Sequence, residues 1–168
     1  MFNNIRNDLN TYKGDFTAQG FWVMMVYRFG RWRYQIKPNI IRKIFSFIYK
    51  VLYKFVQIIT GIELPCEVEI GENFVIDHFG GIVISGYAKF GNNCRVRNGV
   101  VVGLKNIEEP GAPEIGNNVD IGSGAKVLGK IKIGNNVVIG ANAVVIRDIP
   151  DDSIAVGVPA TIKPRRNK

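Results

Sequence analysis

The chain has 168 residues, 46% of them hydrophobic and 21% charged, which suits one globular domain or a domain with a small appendage. It contains one histidine and two cysteines, and no Cys/His spacing suggests zinc, so no metal site is expected. The net charge is +8, and the whole excess lies in residues 21–60, which hold eight basic residues and no acidic one. The cysteine usage predicts reduced thiols and a cytoplasmic protein, and residues 1–16 lack the apolar core of a secretory signal.

Residues 1–61 are predicted to form a basic, helical N-terminal segment. Apolar residues follow helical spacing over roughly 19–34 and again over 39–60, with Pro38 between the two helices. The second helix is amphipathic, with a lysine-rich polar side, and neither stretch is apolar enough to cross a membrane. Such a helix fits either the surface of an anionic membrane or packing on the rest of the protein and its copies, and both interpretations stay open.

Beyond this segment the period of the sequence changes to six. Aliphatic residues recur at that interval from Ile115 to Val145, often followed by glycine, and the same interval appears within residues 70–102. An aliphatic residue at every sixth position is typical of a parallel β-helix, whose interior these side chains fill. Recurrent Gly-Asn-Asn triplets suit turns that need positive φ. The sequence therefore predicts a mainly β fold, a β-helix of about four coils over residues 62–168.

The repeat is interrupted twice, and a solenoid carries its function on such insertions. Two extra residues fall in DHFGGIVI, residues 77–84, which contains the single histidine, His78. The longer excess falls in GLKNIEEPGAP, residues 103–113. Imidazole suits general-base catalysis because its pKa lies near working pH. His78 is therefore the candidate base, and the alternative is a histidine that only stabilises a turn.

Five stretches of the chain together resemble the serine acetyltransferase branch of the hexapeptide-repeat, left-handed β-helix acyltransferases. They are GIELPCEVEIG (61–71), VIDHFGGIVIS (75–85), VRNGVVVG (96–103), IGSGAKVLGKIKIG (121–134) and IGANAVVIRDIPDDSIAVGVPA (139–160). The resemblance implies a left-handed helix, a homotrimer and acetyl-CoA as the donor substrate. Either Glu63 or Asp77 would orient the base; the resemblance gives Glu63 that place and has Asp77 face the acceptor. By the same resemblance, Gly103 lies where the family has a backbone N–H that donates to the oxyanion of the tetrahedral intermediate.

The resemblance also places the pantetheine arm of CoA along the later coils. Small residues there let the backbone approach a ligand. The candidates are Ser123, Gly124 and Ala141. The phosphates of CoA are expected near Lys126, Arg147 and the tail PRRNK, residues 164–168. For each of these basic residues, a solvated surface charge is an equal alternative.

One segment departs from the family. Serine acetyltransferases have Asp-Arg-His-Pro before the rung that corresponds to Ile115, and its Arg and His help to hold the amino acid. Residues 110–113 here are Pro-Gly-Ala-Pro, and glycine cannot replace a guanidinium that pairs with a carboxylate. The chain more closely resembles the colanic-acid and capsule O-acetyltransferases of this branch, whose acceptor is a sugar hydroxyl.

The sequence thus predicts an acetyl-CoA-dependent O-acetyltransferase that transfers acetyl directly to a sugar hydroxyl of a surface polysaccharide (capsule or exopolysaccharide) or its lipid-linked precursor. The alternatives are a serine O-acetyltransferase, an N-acetyltransferase for an amino sugar nucleotide, and a catalytically inactive trimeric scaffold. Nucleic acid is not an expected partner, because the basic residues lie on an amphipathic helix outside any recognised module. Contact of residues 39–60 with the cytoplasmic face of the inner membrane would bring the protein to a lipid-linked acceptor.

Overall fold

The structure, a computed structural model, describes residues 2–108 and 110–165. Its first part is helical, with α1 over Phe2–Thr11, α2 over Gln19–Trp32, a 3₁₀ turn over Arg33–Gln35 and α3 over Asn39–Thr60. The two helices expected from the apolar spacing are therefore present. The periodicity did not predict α1, which is short and largely polar.

The second part is a parallel β-helix. Its strands are β1 Ile62–Glu63, β2 Glu69–Ile70, β3 Val75–Asp77, β4 Ile82–Ile84, β5 Lys89–Phe90, β6 Arg95–Arg97, β7 Val101–Gly103, β8 Glu114–Ile115, β9 Asp120–Ile121, β10 Lys126–Leu128, β11 Lys132–Ile133, β12 Val138–Ile139, β13 Val144–Val145, β14 Ser153–Val156 and β15 Thr161–Pro164.

Successive strands fall in turn on three sheets, so that each coil stacks on the one before it. The first sheet contains β1, β4, β7, β10 and β13; the second contains β2, β5, β8 and β11; the third contains β3, β6, β9, β12 and β14, with β15 antiparallel at its end. The predicted solenoid is confirmed, with five coils rather than about four. The number expected from the sequence was lower because parts of the first and last coils depart from the regular six-residue interval and were not counted.

The aliphatic side chains of the repeat fill the interior, as the period predicts. Val96, Ile121, Val127 and Ile139 are all buried, and they belong to one continuous core. Burial of such a side chain stabilises the fold by about 1.5–3 kcal/mol.

At one corner of the solenoid, the glycines of the Gly-Asn-Asn triplets are needed for close approach rather than for positive φ. A Cβ added at Gly91 would lie 2.6 Å from Oδ1 of Asn117 and 2.8 Å from the carbonyl of Gly116 in the next coil. The left-handed conformation belongs instead to the second asparagine of each triplet, at Asn93, Asn118 and Asn136. The triplets therefore mark the corners correctly, but for two separate reasons.

The helical part covers the open end of the first coil. The hydroxyl of Tyr27 in α2 donates to the carbonyl of Val68 over 2.8 Å. The hydroxyl of Tyr49 in α3 accepts from the backbone N–H of Cys66 over 3.0 Å. Gly61 ends α3 in the left-handed conformation, and β1 begins at the next residue. Helices and solenoid thus share one core across this end.

Candidate functional site

His78 lies at a corner of the solenoid, between β3 and β4. Its backbone φ is +65°, a left-handed conformation that side chains with a Cβ seldom adopt, and its side chain is exposed. The next turn is made by Gly80 and Gly81, both with positive φ. The short loop DHFGG therefore leaves the coil sharply and presents the imidazole outward, as expected for an insertion that interrupts the repeat.

The imidazole borders a groove between the helical part and the third sheet. The groove is lined by Tyr12, Ala18, Gln19, Gly20, Ile76, Asp77, His78, Arg95 and Arg97. The hydroxyl of Tyr12 accepts from the backbone N–H of Ile76 over 2.9 Å, which fixes the end of α1 beside β3. Burial raises the pKa of Tyr12 well above its ordinary value, so this hydroxyl stays protonated at neutral pH.

Asp77 is held by arginine on the floor of this groove. Nη1 of Arg95 donates to its carboxylate over 2.9 Å, and Nε of Arg97 lies 4.0 Å away. Arg97 also places its guanidinium on both carboxylate oxygens of Asp120, and this hydrogen bonding raises the pKa of Arg97. Negative and positive side chains thus alternate across the third sheet, with Asp77 on β3, Arg95 and Arg97 on β6, and Asp120 on β9. These contacts fix the carboxylate of Asp77 in position on the face of the sheet.

Glu63 lies on β1, in a different sheet from Asp77. Its carboxylate accepts from Nε2 of Gln57 over 3.1 Å, and Nζ of Lys54 donates to Oε1 of that glutamine over 2.8 Å. The loop that carries His78 comes close to this region, because the N–H of Gly80 donates to the carbonyl of Thr60 over 2.9 Å. Within the described residues neither carboxylate hydrogen-bonds the imidazole, so the orienting role of Glu63 or Asp77 stays a prediction.

Three of the predicted CoA contacts lie at the same corner as the His78 loop. A Cβ added at Gly81 would lie 3.5 Å from Cα of Gly99, and one at Gly99 would lie 3.3 Å from Cα of Gly124. Ser123 and Gly124 continue this stack, and Ala141 lies at the corresponding turn of the next coil. Lys126 donates from Nζ to the carbonyl of Gly99, which places its ammonium beside the same stack.

Gly103 and Arg147 lie at another corner, where the first sheet ends. Gly103 is buried at the end of β7, and its carbonyl accepts from Gly129 over 2.9 Å. Arg147 follows β13; it donates to the carbonyl of Ala160 over 3.2 Å and borders an apolar depression lined by Val145, Ile146, Ile149 and residues 159–162. In the tail PRRNK, residues 166–168 lie outside the described part of the chain.

Within one chain, the structure therefore does not bring all the predicted site residues together. Across the first sheet, Gly81 lies beside Gly99, and Ser85 lies beside Gly103. The two corners are therefore four residues apart along each coil. At the ordinary strand rise these positions are about 13 Å apart. The corner formed by the His78 loop and the corner at Gly103 thus lie at opposite ends of the strands of the first sheet.

The segment that departs from the family is packed onto the coil. Ala112 and Pro113 are buried, and a Cβ added at Gly111 would lie 2.9 Å from Cβ of Lys130. The carbonyl of Pro113 accepts from the N–H of Lys89 over 3.1 Å. Residues 111–113 therefore serve packing here, and the four residues from Pro110 to Pro113 supply no side-chain cation to the site.

Sequence reasoning missed the arginines of the groove. Arg95 and Arg97 were not singled out, although the strand register pairs Asp77 directly with Arg97. The signal was present in the repeat, since residues one coil apart become neighbours on the sheet. The described residues contain no cluster of three or more metal-ligating side chains, and both cysteines, Cys66 and Cys94, are free and buried.

Comparison with known proteins gives the family. Residues 112–147 match the family described as bacterial transferase hexapeptide (six repeats). The chain is 37% identical to a serine acetyltransferase of Synechococcus elongatus, over 85% of this chain and 56% of that protein. It is 32% identical to the serine acetyltransferase of Bacillus subtilis, over 100% of this chain and 80% of that one.

Two further similarities extend this result. A putative colanic acid biosynthesis acetyltransferase, WcaB of Escherichia coli, is 33% identical over 79% of this chain and 80% of its own length. The crystal structure of serine acetyltransferase from Neisseria gonorrhoeae has a TM-score of 0.82 at 28% identity, covering 99% of this chain and 67% of that one. The chain belongs to the hexapeptide-repeat acetyltransferases, in the branch that contains the serine acetyltransferases. It spans little more than half of the Synechococcus protein.

Proposed function

We propose that the chain is an acetyl-CoA-dependent O-acetyltransferase whose acceptor is a sugar hydroxyl of a surface polysaccharide or of its lipid-linked precursor. Acetyl transfer is supported by the family and by the exposed imidazole of His78 at the interruption of the repeat. The observation that carries the choice of acceptor is the packing of residues 111–113. A serine carboxylate would need a cation there, and the segment instead holds a half-buried glycine followed by the buried Ala112 and Pro113. A neutral sugar hydroxyl has no such requirement.

The proposed reaction is direct transfer. His78 takes the proton from the acceptor hydroxyl as that oxygen attacks the thioester carbonyl of acetyl-CoA. The negative charge that develops on the carbonyl oxygen is stabilised by a backbone N–H, for which Gly103 is the candidate. The tetrahedral intermediate then expels the thiolate of CoA, which recovers the proton from the imidazolium. Glu63 or Asp77 would hold the imidazole in the tautomer that accepts this proton.

The separation of the two corners supports an active site that lies between copies of the chain, and the proposal takes these copies to form the homotrimer that the family resemblance implies. One chain holds the His78 corner and the Gly103 corner about 13 Å apart, at opposite ends of the strands of the first sheet. Solenoids that pack side by side would bring the His78 corner of one copy toward the Gly103 corner of the next. The proposal therefore places each active site between two copies, with Ser123, Gly124, Ala141 and Lys126 along the CoA path, and Arg147 near the phosphates. It places the enzyme in the cytoplasm, in agreement with its free cysteines.

A serine O-acetyltransferase is the second candidate, because the names of several relatives favour it. The test measures release of the CoA thiol from acetyl-CoA, with L-serine or surface-glycan repeat units as acceptors. The variants are His78→Asn, since asparagine tolerates the left-handed backbone, and Glu69→Gln, an exposed control on the second sheet.

We expect release with the glycan and not with serine, reduced about 10²–10⁴-fold in His78→Asn and unchanged in Glu69→Gln. Release with serine would establish the second candidate instead. If no acceptor gives release although acetyl-CoA binds, the result favours the inactive scaffold. Full activity of His78→Asn would remove His78 from the mechanism under either substrate.

A further inference from the structure

The outward face of α3 is a continuous apolar surface, here called the α3 strip. It consists of Ile40, Ile41, Ile44, Phe47, Ile48, Val51, Leu52, Phe55, Ile58 and Ile59. The exposed fraction of the residue is 77% for Ile40, 74% for Ile58 and 69% for Phe47. The helix packs on the solenoid through a different side, which carries Tyr49 and Thr60 among its buried residues. The strip is therefore not used to attach α3 to its own chain.

Lysines border this strip along one side. At 100° per residue, Lys43, Lys50 and Lys54 fall together on the helix surface between the strip and the packed side. All three are exposed, and residues 21–60 contain no acidic residue. Two basic residues of this segment are paired with acids from elsewhere, Arg28 with Asp8 and Arg33 with Glu67, and both pairs lie on the side of the helices that faces the protein. The outward surface is thus both apolar and positively charged.

We propose that the α3 strip lies on an anionic lipid surface, with α3 parallel to the membrane plane. An apolar face bordered by lysines is complementary to a bilayer, whose acyl chains take the apolar side chains while anionic headgroups meet the ammonium groups. The 22 residues of α3 are about 33 Å long, which allows contact over six helical turns. No helix in the described part of the chain is long and apolar enough to cross a membrane, so the contact is peripheral.

A second copy of the chain is the competing occupant, and the charges count against it. Antiparallel pairing of two α3 strips would bring the lysines of both helices to the same side, without an acidic residue in the same segment to neutralise them. An anionic surface supplies that neutralisation. The inference does not depend on the proposed chemistry, because its readout is binding to lipid and not turnover.

The test is flotation of the full chain with vesicles of phosphatidylglycerol and phosphatidylcholine, or of phosphatidylcholine alone, at low and at high salt. One variant, Phe47→Ser/Phe55→Ser, removes apolar groups from the strip, and another, Lys43→Gln/Lys50→Gln, removes charge beside it. The matched controls change exposed residues elsewhere, in Ile107→Ser/Val158→Ser and in Lys132→Gln/Lys163→Gln. Light scattering of each protein without lipid reports its mass.

We expect the native chain to float with the anionic vesicles at low salt, and to bind them weakly at high salt. The lysine variant should lower the partition coefficient roughly 25-fold, about fivefold for each charge removed. The phenylalanine variant should abolish flotation, and both controls should retain it. If that variant fails to fold, the lysine variant still tests the proposal, since its side chains are exposed on the flank of the strip.

Three results would overturn the proposal. The first is failure of the native chain to float with anionic vesicles at low salt. Equal flotation with phosphatidylcholine alone would remove the role assigned to the lysines. A lower mass of the phenylalanine variant in solution would show that the strip lies between copies of the chain.

Discussion

Asparagine fixes one corner of the solenoid at the level of single residues. Asn73, Asn93, Asn118 and Asn136 all have φ near +57°, and each donates from its side-chain amide to the corresponding residue of the next coil. The amide both tolerates the left-handed backbone and satisfies its own hydrogen-bonding groups along the stack. The corner is therefore specified twice, by conformation and by pairing.

These two contributions can be separated at Asn118. Asn118→Gly removes the amide stack but accepts φ of +56°, whereas Asn118→Ala removes the stack and places a Cβ in the left-handed region. We expect the alanine variant to be less stable than the glycine variant by about 1 kcal/mol. Urea unfolding of the two variants and the native chain measures the difference. Equal stability of the two variants would show that the stack alone holds the corner.

At the scale of an element, α3 is attached to the solenoid by tyrosine. Tyr49 and Tyr53 face the first coil and stack on each other with ring centroids 5.6 Å apart. Arg33 lies over the ring of Tyr49 at 4.6 Å, and it donates to the thiol of Cys66. The amphipathic pattern predicted the helix and its bounds, yet the side that packs is the one that carries these polar aromatic residues.

This attachment predicts a loss of stability at alkaline pH. Burial, followed by the charge of Glu63, raises the pKa of Tyr53 to about 12, and burial raises the pKa of Tyr49 well above its ordinary value. Tyrosines of the unfolded chain ionise near pH 10, whereas these two stay protonated in the folded chain. The free energy of unfolding therefore decreases as the pH rises from about 10 to about 12. The urea midpoint should fall across that range, and less steeply in Tyr53→Phe. A midpoint that stays constant up to pH 12 would contradict the assignment.

Much of this architecture could be predicted from the sequence, because an aliphatic residue at a fixed interval marks each strand of the solenoid. The six-residue period predicted the buried aliphatic residues, and its interruptions marked the turn that carries His78 and the segment of residues 103–113. The grouping of site residues into two corners could not be obtained in the same way, since it depends on the position of each residue within its coil, which the two interruptions shift. The packed side of α3 was missed because hydrophobicity favours the strip, while the contacts are made by aromatic residues with polar ends.

At the scale of the whole molecule, a solenoid has two open ends, and this chain closes them differently. The helical part covers the first coil, where Cys66, Val68 and Phe74 are fully buried. The last coil is closed by β15, which pairs antiparallel with β14 over four residues. An uncovered solenoid end exposes unpaired backbone groups and core side chains, which favours pairing with other chains.

The two closures are expected to differ in importance. A chain that begins at Gly61 would expose the edges of β1, β2 and β3 together with the buried side chains of the first coil, so we expect it to aggregate during expression. A chain that ends at Ala160 would lose β15 and the residues after it. The residues of β15 are mostly exposed, so we expect this chain to fold with a lower unfolding midpoint and to self-associate as concentration rises. Circular dichroism and sedimentation velocity distinguish these outcomes. A soluble, folded and monodisperse product from the first truncation would show that the solenoid does not need its helical cover, and would leave lipid contact as the main role of α3.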